Sequence, residues 1–287
     1  SAGFGVLMEG PGGDGPGMVP VRLADLLRAI ADPSAAVLGD WSSSMFFRSP
    51  VSIGDAALAR AAAAEAAALV AIDFLFWFAY GYGGDAARLA LLEQGLQQLD
   101  RFEGPIVVGD IPDMSPAVGG LISASQVPSP ELLAMANARV RAWAADRPRV
   151  RLLPMSELTR HAFSRAGIAL RPGLQVPEPP HAKEAAVAVV EAALPAAIVV
   201  ASDHELGATL QRDRLHPTFD GLVAIVWVML REHADLPGLG AISAAAAELS
   251  PLALRERIRQ GVLRERGFEA SVGEKIDDSA EAVPAGR

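Results

Sequence analysis

Residues 211–223 read Gln-Arg-Asp-Arg-Leu-His-Pro-Thr-Phe-Asp-Gly-Leu-Val, with an acid, Asp213, and a histidine, His216, three positions apart. A helix start signal follows. Thr218 suits the N-cap, Asp220 falls in the first turn, where the helix dipole favours negative charge, and Leu222, Ile225, Val226 and Met229 recur at helical spacing. An imidazole and a carboxylate therefore stand together at a helix mouth. Catalysis with a serine nucleophile needs this pair: the histidine takes the serine proton, and the carboxylate sets the ring tautomer and stabilises the imidazolium. The same letters also describe a helix-capping turn that contains a histidine, and the rest of the chain has to separate the two readings.

Toward the N-terminus, helix and strand signals alternate with short connections. Residues 1–20 are dominated by Gly and Pro and are expected to be loop. Leu23, Leu26, Leu27 and Ile30 mark one face of a helix that Pro33 ends. Residues 35–39 read as a short buried strand running into Gly-Asp-Trp-Ser-Ser-Ser, and the Ala-rich residues 55–70 as a helix. The aromatic run at residues 72–80, closed by Gly81, Gly83 and Gly84, has the continuous apolarity of a strand covered on both faces. Asp85 opens a helix carrying Leu89, Leu92, Leu96 and Leu99, residues 105–109 are strand, and Asp110 and Asp113 flank Pro112 in the following turn. Ser129-Pro130-Glu131 starts another helix, and residues 150–153 are the next strand. This alternation predicts a three-layer α/β fold, a flavodoxin-like parallel sheet with helices on both faces. Its ligand site would lie at the carboxyl ends of the strands. The loops after Gly39, Tyr80 and Gly109 then share one edge with the loop of His216.

The regularity fails over residues 156–212, read as an insertion covering the site, with a Pro-rich stretch at 172–180 and a helix at about 183–193. The expected organisation is an α/β domain over residues 1–235, a C-terminal helical extension over 236–269 with an exposed, charge-laced helix at 251–266, and a disordered polar tail at 270–287.

Composition narrows the chemistry. Over 287 residues, 25 Lys and Arg stand against 34 Asp and Glu, a net charge of −9 without a basic face, which argues against a nucleic-acid partner. With no cysteine, a disulfide framework, a thiolate zinc site and a cysteine nucleophile are excluded. The longest apolar stretch, residues 61–80, contains Glu65 and Asp73, so no membrane span is expected. The chain opens at Ser1 rather than Met and without a signal-type segment, so a stretch upstream is expected to have been processed, cut or never included, and the compartment stays open. No cofactor is expected. Asp203 and His204 are adjacent and read as a surface turn rather than a metal site, and His161, His181 and His233 as solvated or capping residues.

The block Asp213-x-x-His216-Pro217 followed by a helix resembles the last motif of the SGNH, or GDSL, hydrolase family. The resemblance implies an SGNH-like fold, a Ser-His-Asp arrangement with His216 as base and Asp213 as its orienting acid, and a small-molecule ester substrate. Lipase, esterase and carbohydrate-ester deacylase activities all fall within it. In that family the nucleophile follows the first strand in a Gly-Asp-Ser-Leu-like turn, and a glycine after the second strand and a Gly-x-Asn after the third supply oxyanion donors.

Two registers of this pattern fit. In one, Gly39-Asp40-Trp41-Ser42 is the nucleophile turn, with Trp41 where serine belongs and Ser42 displaced by one. In the other, Ser1-Ala-Gly-Phe-Gly is the tail of the first block and the serine precedes Ser1, while Gly39 is the second-block glycine. The second is preferred because it accounts for the element order. Gly81 and Gly83 occupy the third block, but Gly83 replaces the family's Asn, so the amide donor is missing. A non-catalytic binding or interaction protein on the same fold is the alternative.

Overall fold

The computed structural model describes residues 6–9, 18–31, 39–165 apart from 121, 167, 168, 170, 210–237 apart from 212 and 234, 239, 242, 246 and 248–267. Its centre is a parallel sheet of β3 (Leu69–Ala71), β4 (Ile106–Gly109) and β5 (Val150–Leu153), in that spatial order. Preceding it are β1 (Val6–Glu9) and β2 (Met18–Val21), an antiparallel pair, and the helices α1 (Leu23–Ile30) and α2 (Pro50–Ala63). The remaining helices are α3 (Phe76–Ala79), α4 (Asp85–Asp100), α5 (Pro130–Ala145), α6 (Met155–Arg165), α7 (Phe219–Glu232) and α8 (Pro251–Glu265).

Alternation along the strands sends side chains to two cores. Val107 joins α1, α7, α8 and the β1–β2 pair on one side, while Ile106 and Val108 join α2, α3, α4 and α5 on the other. The protein is thus α/β, with a three-stranded parallel sheet flanked by helices, as the alternation predicts. α7 is buried almost all round, from Leu222 through Leu230, which suits a helix apolar on every face.

Four sequence expectations change, the first being the Ala-rich helix of residues 55–70, which is α2 at Pro50–Ala63 and gives way to β3 at Leu69–Ala71. Residues 72–80 are not a strand: β3 ends at Ala71 and the aromatic run turns into α3. Phe76 and Tyr80 stack with centroids 4.1 Å apart, an i,i+4 contact that a helical turn makes. An unbroken apolar run has no period, so strand and buried helix read alike in it. Residues 1–20 are not wholly loop. The short alternations Val6/Met8 and Val19/Val21 bury one face of the β1–β2 pair despite the surrounding Gly and Pro. Finally, α8 is not simply exposed. Leu254, Ile258 and Val262 recur at i and i+4 and pack on α1 and α7, and a Cβ on Gly261 would lie 2.6 Å from that of Ala29. The expected strand at residues 35–38 and the elements proposed at 172–201 lie outside the described residues, as do His181, Asp203 and His204. His233 takes the capping alternative rather than the solvated one: it is buried at the C-cap of α7, where its backbone N–H donates to the Met229 carbonyl at 3.1 Å.

Close backbone approach decides one position beside the site. Gly109 donates its N–H to the Ile72 carbonyl at 3.1 Å, and a Cβ at Gly109 would lie 2.2 Å from that same oxygen. Gly109→Ala is expected to cost about 3 kcal/mol through forced backbone displacement. Urea unfolding would read this as a lower midpoint at unchanged slope.

Candidate active site

The loop before α7 is built by its own short-range bonds. Leu210 and Pro217 bridge antiparallel, Gln211 N donates to the His216 carbonyl at 2.8 Å, and the Gln211 side chain donates to the Pro217 carbonyl at 2.9 Å. Arg214 takes a left-handed φ of 57° at the tip. Thr218 caps α7 by accepting from Gly221 N at 3.1 Å, as its sequence position predicts. At the same helix end, Asp220 pairs with Arg255 at 2.5 Å, which fastens α8 to the start of α7.

Inside this loop Asp213 Oδ1 accepts from the backbone N–H groups of Leu215 (2.9 Å) and His216 (3.0 Å), and Oδ2 lies 2.7 Å from His216 Nδ1. Burial alone would raise the Asp213 carboxyl, but the hydrogen bonds from His216 and Leu215 outweigh it and hold it below the usual carboxylate range. An ionised Asp213 places the proton on Nδ1, which leaves the lone pair of the neutral ring on Nε2. Both side chains are partly covered, 17% and 24% exposed for His216 and Asp213.

His216 lines a cleft of about 190 Å³. Ile72 and Asp73 follow β3, Asp110 follows β4, and Met155 lies two residues past β5, so the cleft sits at the carboxyl ends of the parallel strands. Its walls are mostly aliphatic and aromatic, Phe76 and Trp77 among them. Asp73 and Thr159 are polar lining residues with no motif to announce them. The one sequence signal for Asp73 is a carboxylate inside an aromatic run.

Asp110 is buried, and it accepts from Ser156 N at 2.7 Å and Ser156 Oγ at 2.5 Å, at the N-terminus of α6. Burial pushes its carboxyl up, against the Ser156 bonds and the Arg141 guanidinium 3.7 Å away. An acid with a raised folded pKa loses stability as pH climbs from the unfolded value of about 3.9 through the folded one. Asp110→Asn preserves the shape and removes that loss. Its melting temperature is expected to exceed that of the parent at pH 7 and to converge with it below about pH 4, as a calorimetric pH series would show.

The wall at residues 110–114 is pinned from behind. Asn137 accepts from Ile111 N and donates to the Ile111 carbonyl, both at 2.8 Å, and Tyr80 Oη donates to the Pro112 carbonyl (2.8 Å) and accepts from Met114 N (2.9 Å). Tyr80 is thus a support of the loop. Asp113, read from the sequence as turn chemistry, binds Ser115 N at 3.0 Å and Ser115 Oγ at 3.1 Å.

The remaining expected site residues are not brought to His216. Gly39, Ser42, Gly81 and Gly83 do not line its cleft. Gly39 lies against the ring of Trp41, and Ser42 N donates to Asp40 Oδ1 at 2.9 Å. Gly81 and Gly83 have φ of 150° and 127°, a backbone that explains why both are glycine, and Gly83 borders a separate depression beside Asp85 and Arg88. Arg88 ties this turn down through the carbonyls of Gly81, Ser125 and Val127. Among the described residues of the His216 cleft, Thr159 supplies the aliphatic hydroxyl.

Fold and site together define an α/β protein with a histidine–aspartate pair over an apolar cleft. No protein-family model, curated protein or solved structure matches the chain. No described helix is long and apolar enough to cross a membrane, and the described residues hold no group of three or more His, Asp or Glu suited to a metal ion.

Proposed function

We propose that the protein is a serine-dependent ester hydrolase of the SGNH type. The observation that carries this reading is the 2.7 Å contact between His216 Nδ1 and Asp213 Oδ2, with the ring lining a cleft at the strand ends. The sequential order β3-β4-β5 in a parallel sheet supports it as well, since strands in sequence order are what one half of a doubly wound sheet would contain. In the reaction, His216 Nε2 takes the proton of a serine hydroxyl as its oxygen adds to the ester carbonyl, then returns that proton to the departing alcohol. Asp213 holds Nδ1–H throughout and stabilises the imidazolium. Water then attacks the acyl-enzyme, again with His216 as base. Ser42 lies outside the cleft, which counts against the register with Ser42 as nucleophile, and Gly39 lies outside it as well, so the oxyanion glycine of the other register is not brought to His216 either.

Fluorophosphonate labelling of the full encoded chain tests this reading. Covalent labelling of one serine, lost on His216→Ala, is the expected result. A ligand-binding protein without hydrolysis is the second reading, favoured by Gly83 in place of the family's Asn and by its position outside the cleft. Failure of the probe to label any serine selects it.

A further inference from the structure

The cleft that holds His216 extends between two helices. From α6 it takes Leu158, Thr159 and Ala162, which lie three, four and seven residues beyond Met155 and so share one helical face, and from α7 it takes Leu222 and Ile225. Met155 stands next to the end of β5, and Ala162 lies about 10 Å farther along the α6 axis. Leu23 of α1 also lines the cleft.

The chemistry of these walls discriminates between ligands. No Lys or Arg is among the described lining residues, and the charged or titratable ones are Asp73, Asp110 and His216. A phosphate or free carboxylate would meet acidic groups and no fixed cation. A sugar needs several directed hydrogen bonds, and the α6–α7 walls offer Thr159 alone. An unbranched hydrocarbon chain needs only aliphatic carbon around it, which Leu158, Ala162, Leu222 and Ile225 provide.

We infer that the space between α6 and α7 is an acyl-chain subsite, and that the protein's substrates are esters of straight, medium-chain fatty acids rather than acetylated sugars. The inference rests on the ester-hydrolase reading for the role of His216, but chain binding itself requires no turnover.

Straight-chain ethyl ketones, in which a CH2 replaces the ester oxygen of a methyl ester, cannot be hydrolysed, so they measure binding alone. Trp77 lines the cleft and offers a fluorescence signal. Over a ketone series the dissociation constant is expected to fall by about fourfold per methylene until the subsite is filled, and then to level off. Ala162→Phe is expected to bring that levelling to shorter ketones and to leave affinity for the shortest ones in place. A dissociation constant indifferent to chain length, a profile unchanged by Ala162→Phe, or tighter binding of an acetylated hexose than of the long ketones overturns the inference. Circular dichroism shows whether Ala162→Phe folds. If it does not, Ile225→Trp, at a partly exposed position on the facing helix, carries the same expectation. Failure of a fluorophosphonate to label any serine would defeat the enzyme reading while leaving the ketone result standing, so the two failures are separable.

Discussion

Replacing His216 with alanine is expected to lower ester hydrolysis by about 10³- to 10⁴-fold, with the loss in kcat rather than KM. The ring is the base for the serine hydroxyl and the acid for the leaving alcohol, so its removal acts on the transition state and leaves the apolar walls intact. The fold should be little affected, because the His216–Asp213 pair is partly solvated and Asp213 keeps its two backbone bonds. A melting temperature within a few degrees of the parent would confirm that activity alone was lost. Asp213→Asn provides the complementary measurement. The amide cannot stabilise an imidazolium and favours the wrong tautomer, a change worth up to about 10⁴-fold in kcat where this arrangement operates. Because the Asp213 carboxyl is depressed in the folded protein, its stabilising contribution is present above the unfolded value of about 3.9 and is lost as pH falls through the folded one. The pair should therefore hold its geometry at every pH above about 4. Full activity in His216→Ala would remove the proposed mechanism.

The largest expected loss of stability follows from Asn137→Leu. Asn137 is 1% exposed and satisfies both backbone groups of Ile111 with its single amide. A leucine fills the volume but leaves a buried N–H and a buried C=O without partners, at about 1–3 kcal/mol each. Against a total folding stability of about 5–15 kcal/mol, that is a substantial share. Denaturant unfolding should show it directly. Ile111 sits next to Asp110 and Pro112, both lining the cleft, so the leucine variant is also expected to weaken substrate binding. Unchanged unfolding would mean that other contacts hold residues 110–114 in place.

Most of the helices are legible from a period or a cap, whereas the two-residue alternations of β1 and β2 are hidden by the surrounding Gly and Pro. Ser129 accepts from Leu132 N at the start of α5 and Thr218 from Gly221 N at the start of α7, both as local chemistry requires. The His216–Asp213 pair was legible for the same reason: the two residues are three apart, and a turn closed by its own backbone bonds suffices to join them. Residues 72–80 were misread because uniform apolarity records burial but no geometry. The glycine motif misled in another way. Gly81 and Gly83 answer a positive φ, and their place in a familiar pattern says nothing about which depression they border.

The sequence by itself determined the α/β alternation, the cap and first turn of α7, and the acid–histidine pair before it, because each depends on residues within about one or two helical turns of one another. Tertiary structure alone decided that Asp73, Asp110 and Thr159 meet His216 in one cleft and that Asn137 holds its wall. These residues come from separate strand ends and helices, and the long-range packing of the sheet between its two helical layers brings them together.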